Sequence, residues 1–383
     1  MAISCAGAPD APADAVTDRL DIARNRFPDI HRIAVLRAGG LGDFLFALPA
    51  LHALREAYPA SEITVLGTPM HAELMRDRPG PPDRVIPVPP SEGVRPGAID
   101  ARETDAFFTR MRACGFDLAV QLHGGGRNSN PFVQLLGARH TIGTRTSDAA
   151  PLERTIPYLY YQNEFVRGLE VAALAGAMAS RFGYEPVLAR VPGASGAEVL
   201  ARFGIAPRGP LVVVHPGATD PRRRWPAEMF AKVAAELAAQ GCTVVVVGDE
   251  GERALCDAVA TAGNRAASRV ASVAGRLDLG DLAAVLGDAD VVIANDSGPR
   301  HLAHALGTAT VAVYWIGNLI NAGPLTRARH RVHLGWTARC PVCGADCTGM
   351  NPEAARCEHD ESFVADVPWR DVYDSARQLL ELG

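Results

Sequence analysis

The chain has 383 residues, too many for one ordinary domain and enough for two cores of roughly 150–200 residues each. Its 48% hydrophobic and 21% charged residues are a globular rather than a disordered composition, and no apolar run reaches the ~18 residues of a transmembrane helix. The formal net charge of −5, with no block of like charge, lacks the basic stripe of a nucleic-acid binder.

Met1–Ala15 has no basic region followed by an apolar core, so no secretory signal is read there; the expectation is a cytoplasmic chain with reduced thiols, peripheral contact with the inner membrane left open. A helix is expected from Val16 to Arg26. Ile33–Leu36 is a short apolar run of the buried parallel kind, followed by the glycine loop Arg37-Ala-Gly-Gly-Leu-Gly42, a helix from Asp43 to Tyr58 and a strand at Ile63–Leu66. That βαβ unit predicts a right-handed crossover and a parallel sheet. Further strands are expected at Val85–Val88 and Leu118–Leu122, then helix from Glu164 to Phe182 and a linker at Pro186–Gly196. The second half repeats the grammar: strand Leu211–Val214, helix Ala227–Gln240, strand Thr243–Val247 and a helix after Glu252. Strand Val291–Ala294, a helix ending near Gly307 and strand Thr310–Val313 follow. Alternating strands and helices in both halves predict two doubly wound α/β domains, with function in the loops at the carboxyl ends of the strands.

Gly40-x-Gly42-x-x-Leu45 lacks the third glycine of the dinucleotide fingerprint, and the next strand ends at Leu66-Gly-Thr68 without its ribose-binding acid. No Gly-x-x-x-x-Gly-Lys-Ser/Thr run exists, which excludes a P-loop kinase or ATPase. Asp43 opens a helix after the glycine loop: it can cap free N–H groups, or act as a general base at the mouth of a sheet. Asp296-Ser-Gly298 also opens a helix, with His301 one turn in, and bare N–H groups at such a start suit a diphosphate. With His215-Pro-Gly-Ala-Thr219 and Arg222-Arg-Arg224 it makes an anion-binding constellation, although every basic residue but Lys232 is arginine and a solvated surface run is the plain alternative. His123, Arg127 and Asn128 follow a first-half strand and are equally readable as turn residues or cleft lining. Asp288-Ala-Asp290 leads into a core strand and is read as an edge of secondary structure rather than a metal signature.

Gly40-Leu-Gly-Asp43 with Leu48-Pro-Ala-Leu51, then His215-Pro-Gly-Ala218 with Arg224-Trp-Pro226, then Asp296-Ser-Gly-x-x-His301-Leu-Ala, resemble the motifs of glycosyltransferase family 9, the heptosyltransferases, from about Ile33 to Leu380. The resemblance implies a GT-B fold: two Rossmann-like doubly wound domains facing across a cleft, acceptor in the first and nucleotide-sugar in the second. The expected boundaries are an extension at 1–30, an acceptor domain at 31–190, a donor domain at 191–366 holding the cysteines of 340–357, and a terminal helix at 367–383. It implies an inverting glycosyltransferase with no metal at the chemistry, Asp43 as base, and Thr219, Arg223, Glu252, Asp296, Ser297, Gly298 and His301 at the donor, ADP-heptose or a similar nucleotide-sugar. Arg223 stands where many members have Lys. The acceptor would be the hydroxyl of a saccharide, natural product or protein. A nucleotide-sugar epimerase on the same fold and a non-catalytic, metal-containing assembly protein are the alternatives; product analysis without acceptor separates the first, absence of donor turnover the second.

Cys340-x-x-Cys343-x-x-x-Cys347 and Cys357, with His359 nearby, gather four of eight cysteines into eighteen residues. Cys340-Pro-Val-Cys-Gly344 has the shape of a metal knuckle; free thiols and disulfides are the alternatives. Four thiolates predict a closed, structural site with zinc as default and iron as alternative. Relatives of the family that glycosylate bacterial surface proteins carry a comparable four-cysteine iron site. Cys5, Cys114, Cys242 and Cys256 are scattered and read as unliganded.

Overall fold

The computed structural model describes residues 22–179, 186–264, 269–348 and 357–381. Most of the helix expected from Val16 to Arg26 lies outside them; the part within is a short 3-10 helix at Ile22–Asn25.

The first half alternates β1 (Arg32–Leu36), α1 (Leu41–Ala57), β2 (Glu62–Gly67), α2 (Pro69–Met75), β3 (Arg84–Pro87), α3 (Ala101–Ala113) and β4 (Leu118–Gln121). It continues with α4 (Ser129–Gln134), β5 (His140–Arg145), β6 (Arg154–Pro157) and α5 (Glu164–Ala173). The second half runs α6 (Gly196–Ala201), β7 (Leu211–His215), α7 (Ala227–Ala239), β8 (Thr243–Val246), α8 (Arg253–Gly263), β9 (Val270–Ser272) and α9 (Leu279–Asp288). It ends with β10 (Val291–Asn295), α10 (Gly298–Ala305), β11 (Ala309–Trp315), α11 (Ile316–Ala322), β12 (His330–Gly335) and α12 (Trp369–Glu381).

Each half forms one parallel six-stranded sheet, in the orders β3-β2-β1-β4-β5-β6 and β9-β8-β7-β10-β11-β12. Both orders reverse direction once, between β1 and β4 and between β7 and β10, and loops leaving the strands at such a point open a crevice. The central strands are buried along their length: Ile33–Leu36, Val212–Val214 and Val291–Ala294 are at most 1% exposed, as sheets covered by helices on both faces require. The expectation of two Rossmann-like doubly wound domains in a GT-B arrangement is borne out.

Helix α1 is buried over most of its circumference and packs against α5 and α10, so it belongs to both halves. Phe46 stands edge-on to the rings of Phe165 (4.9 Å) and His301 (4.6 Å). The contact is close enough to need glycine: a Cβ on Gly42 would lie 3.0 Å from His301 Cδ2. The helix expected to run to Phe182 stops earlier, because Gly176 adopts φ +70° and its amide and that of Ala177 turn back onto Ala173 and Ala172. Residues 180–182 lie outside the described residues. Among the described residues no helix is long and apolar enough to cross a membrane.

Candidate active site

The loops after β1, β7, β8 and β10 converge on a cleft of about 670 Å³. Its lining includes Asp43 from the first half and Thr219, Arg223, Glu252, Asp296, Ser297, Gly298 and His301 from the second, so the structure brings every expected donor residue to face Asp43.

Asp43 sits in the first turn of α1 and does cap it: Oδ2 accepts the Gly40 N–H at 2.9 Å. Its Oδ1 accepts from Arg37 Nη2 at 2.7 Å, and its side chain is 48% exposed, so the carboxylate still faces the cleft. Arg37 is buried, and its guanidinium also donates to the Asp43 and Leu122 carbonyls and, at 3.2 Å, to Glu164 Oε2. Glu164, which Arg167 holds from the other side, lines the same cleft at the start of α5. Arg37 and Glu164 are partners that sequence reasoning missed. The arginine-rich composition hides the first, and the second lies 121 residues beyond Asp43 with no motif around it.

On the facing wall Asp296, 3% exposed, accepts three donors: His301 Nε2 at Oδ1 (2.9 Å), and Arg223 Nη1 (3.2 Å) and Asn318 Nδ2 (2.7 Å) at Oδ2. Burial alone would raise its carboxyl; the His301 hydrogen bond, the Arg223 charge and the Asn318 amide outweigh it and bring it down to about 2. His215 bridges the other two donor loops, with Nδ1 3.0 Å from Ser297 Oγ and Nε2 3.0 Å from Glu252 Oε2. That hydrogen bond is the leading reason the Glu252 carboxyl lies below its ordinary value. Glu252 Oε2 also takes the Asp249 N–H, leaving Oε1 beside Gly217.

Of the arginine triplet, Arg223 alone lines the cleft. Arg222 is clamped by Asp220, and Arg224 donates to the Ala218 carbonyl at 2.8 Å. Asn295 holds their loop from below, accepting the Trp225 N–H and donating to the Pro216 carbonyl. His123, Arg127 and Asn128 stand apart from the cleft lining: His123 bonds the Ala38 amide, and Arg127 is exposed beside Asp148. Asp288 and Asp290 tie chain segments together through Arg190, the Gly196 amide and the Leu211 amide, as an edge reading requires.

A second cluster lies beyond β12. Ligand atoms of Cys340, Cys343, Cys357 and His359 all fall within 4.8 Å of one another. The knuckle closes as expected, with Gly344 N–H on the Cys340 carbonyl (2.9 Å) and Gly344 at φ +71°. Backbone N–H groups of Cys343 and Val342 aimed at the Cys340 sulfur bring that thiol down to about 7. Among the described residues His359 Nδ1 is buried without a hydrogen-bond partner, as a metal-facing nitrogen would be. Cys347, the fourth thiol expected, lies next to this group: its Sγ faces the Ala345 carbonyl at 3.3 Å, interacts with the Cys357 thiol and packs against the second core. The donor set therefore fits one ion on three sulfurs and one imidazole. Cys242 and Cys256 are buried free thiols, Cys256 pushed up to about 12 by burial, and Cys5 lies outside the described residues.

A model described as glycosyltransferase family 9 (heptosyltransferase) matches residues 105–342. Lipopolysaccharide heptosyltransferase 1 of Pseudomonas aeruginosa is 26% identical over 328 residues, covering 82% of this chain and 86% of that one. A solved family 9 glycosyl transferase from Veillonella parvula superposes with a TM-score of 0.74 at 21% identity, covering 94% of this chain and 100% of its own. TibC, a dodecameric iron-containing heptosyltransferase of Escherichia coli solved with ADP-D-beta-D-heptose, superposes with a TM-score of 0.54 at 12% identity, covering 93% and 78%.

Proposed function

Since the chain belongs to glycosyltransferase family 9 and is a glycosyltransferase, we propose that it transfers heptose from ADP-heptose to an acceptor hydroxyl, with Asp43 as general base. The observation that carries this reading is the placement of one exposed carboxylate, Asp43, across a single cleft from a cationic and N–H-rich wall at Arg223 and Ser297–Gly298.

In the proposed step the acceptor hydroxyl attacks the anomeric carbon as its proton passes to Asp43. The bond from that carbon to the diphosphate oxygen breaks, and ADP leaves with the electron pair. Attack opposite the leaving group inverts the anomeric centre. Arg223 and the Gly298 N–H at the start of α10, where Pro299 offers none, stabilise charge developing on the diphosphate. Glu252, oriented by His215, presents Oε1 to the ribose hydroxyls. The acceptor binds on the first half, beside Glu164. Support for heptose and ADP comes from the names of the relatives; support for the roles comes from the geometry.

Asp43→Asn keeps the size and the Gly40 contact and removes the base, so turnover should fall by roughly 10²–10⁴-fold with ADP affinity nearly unchanged. Near-normal turnover in that variant would overturn the assignment.

We further propose that Cys340, Cys343, Cys357 and His359 hold one structural metal ion. Three sulfurs and an imidazole favour zinc, and iron is the alternative raised by the iron-containing neighbour. The ion would tie the knuckle to the returning chain. That chain then fastens the donor loop, since Phe363 N–H bonds the Arg222 carbonyl (2.7 Å) and Ser362 Oγ the Arg224 carbonyl (2.7 Å).

A further inference from the structure

Arg300, in the first turn of α10, is fully buried, yet its Nε and Nη2 have no hydrogen-bond partner among the described residues. A guanidinium is always charged and only donates, so its burial without a facing carboxylate is costly and asks for a reason. Its one side-chain hydrogen bond runs from Nη1 to His301 Nδ1 at 3.1 Å. Its guanidinium carbon lies 5.5 Å from the centre of the Tyr314 ring. His301 Nε2 in turn lies 2.9 Å from Asp296 Oδ1.

Donor and acceptor rules leave one arrangement for this chain. Because Arg300 can only donate, His301 Nδ1 must carry a lone pair; because Asp296 is an ionised acceptor, His301 Nε2 must carry the hydrogen. We infer that Arg300 is a positioning residue that locks His301 as the neutral Nε2–H tautomer, withholding it from acid–base chemistry and keeping the charge of the donor pocket constant with pH. This rests on reading the cleft as the donor site.

The surroundings act in the same direction. The charged and titratable groups facing His301 are Asp296 and, through it, Arg223 on one side, Arg300 and the part-buried His304 on another, and Asp43 from α1; the buried His330 and Tyr314 face Arg300. Burial and the Arg300 charge push His301 below its ordinary value against the pull of Asp296 and Asp43. His304 is pushed well down, and His330 to about 3, so Arg300 supplies the positive charge of this buried set. Immediately around His301, Arg223 and Arg300 face the Asp296 carboxylate, so a neutral His301 leaves that buried group's charge unchanged as pH varies across the neutral range. His301 is thereby removed as an alternative base to Asp43, and the imidazole serves to orient Asp296.

The test is the ring-nitrogen NMR spectrum of His301, assigned by loss of its signals in His301→Asn. Expected in the unsubstituted protein is the Nε2–H pattern, unchanged from about pH 5.5 to 8.5. Arg300→Lys, which still donates and carries charge, should preserve it. Arg300→Met should let His301 titrate within that range. The same variant supplies a functional readout through ADP binding by calorimetry. Its affinity relative to the unsubstituted protein should be roughly tenfold lower at high pH and recover as pH falls, when the new imidazolium replaces the lost guanidinium. Taking the ratio cancels the ionisation of ADP itself. An imidazolium or an Nδ1–H tautomer in the unsubstituted protein at pH 5.5 would overturn the inference, as would an affinity ratio flat with pH. If Arg300→Met does not fold, the spectra of the unsubstituted protein and Arg300→Lys decide the matter. Failure of the unsubstituted protein to bind ADP would instead overturn the donor-site reading and leave the spectral result standing.

Discussion

Replacing Arg223 by alanine isolates the electrostatic part of donor binding. The side chain is 24% exposed, with Nη1 3.2 Å from Asp296 Oδ2, and it lines the cleft beside Ser297 and Gly298. A unit charge about 6 Å from a diphosphate charge, at an effective dielectric of ~20, is worth roughly 2.8 kcal/mol before salt screening and partial exposure reduce it. Charge-assisted hydrogen bonds contribute about 1.5–3 kcal/mol on independent grounds. The two estimates agree on a loss of about 1.5–2.5 kcal/mol, so the ADP dissociation constant should rise roughly 10–70-fold. Asp296 keeps its bonds from His301 and Asn318 but loses the Arg223 charge, so the melting temperature should also fall by a few degrees, which a thermal scan separates from the loss of affinity. Calorimetry at two ionic strengths reads both effects, because the salt dependence of binding should weaken with the charge. Arg223→Lys restores the charge without the planar fork and should recover most of the affinity. Binding within twofold of the unsubstituted protein, with unaltered salt dependence, would place the diphosphate elsewhere.

Two other perturbations follow from the same geometry. Cys343→Ser removes one of four close donors; it should lower bound metal well below one equivalent by elemental analysis and reduce the melting temperature by several degrees, and full metal content would exclude Cys343 as a ligand. Asp296 is held at about 2 against an ordinary 3.8, so its contribution to stability, about 2 kcal/mol, is complete above pH ~4 and is lost as pH falls towards 2. Urea denaturation of the protein and of Asp296→Asn should therefore give a stability difference that shrinks across that interval; a difference constant with pH would mean that the carboxylate is not stabilised by its three donors.

How much of this was legible in the chain follows from what is local. The strands at the middle of each sheet are runs of Val, Ile, Leu and Ala buried on both faces, and a strand of that kind announces itself. β5 does not: His140-Thr-Ile-Gly-Thr-Arg145 carries one large apolar residue, Ile142, and its pairing with β4 is settled only when the sheet assembles. The helix starts near Asp43, which stands in the first turn of α1, and at Ser297–Gly298 were readable because a glycine turn after an apolar run leaves few alternatives. The metal knuckle was readable for the same reason, through the turn at Gly344.

What the chain order could not decide is which distant side chains meet. Arg223 rather than Arg222 or Arg224 faces the cleft because Asp220 and the Ala218 carbonyl capture its neighbours. Glu164 reaches Asp43 through Arg37 because α1 and α5 pack together in the first half. His359, two residues past Cys357, joins the thiol cluster, while Cys347 bonds the Ala345 carbonyl at its side. The residue types and the local turns are properties of short segments and are written in them. The hydrogen-bond partners of Arg37 and His215 lie 6 to 127 and 37 to 82 residues away, and only packing selects the partner that leaves each buried group satisfied.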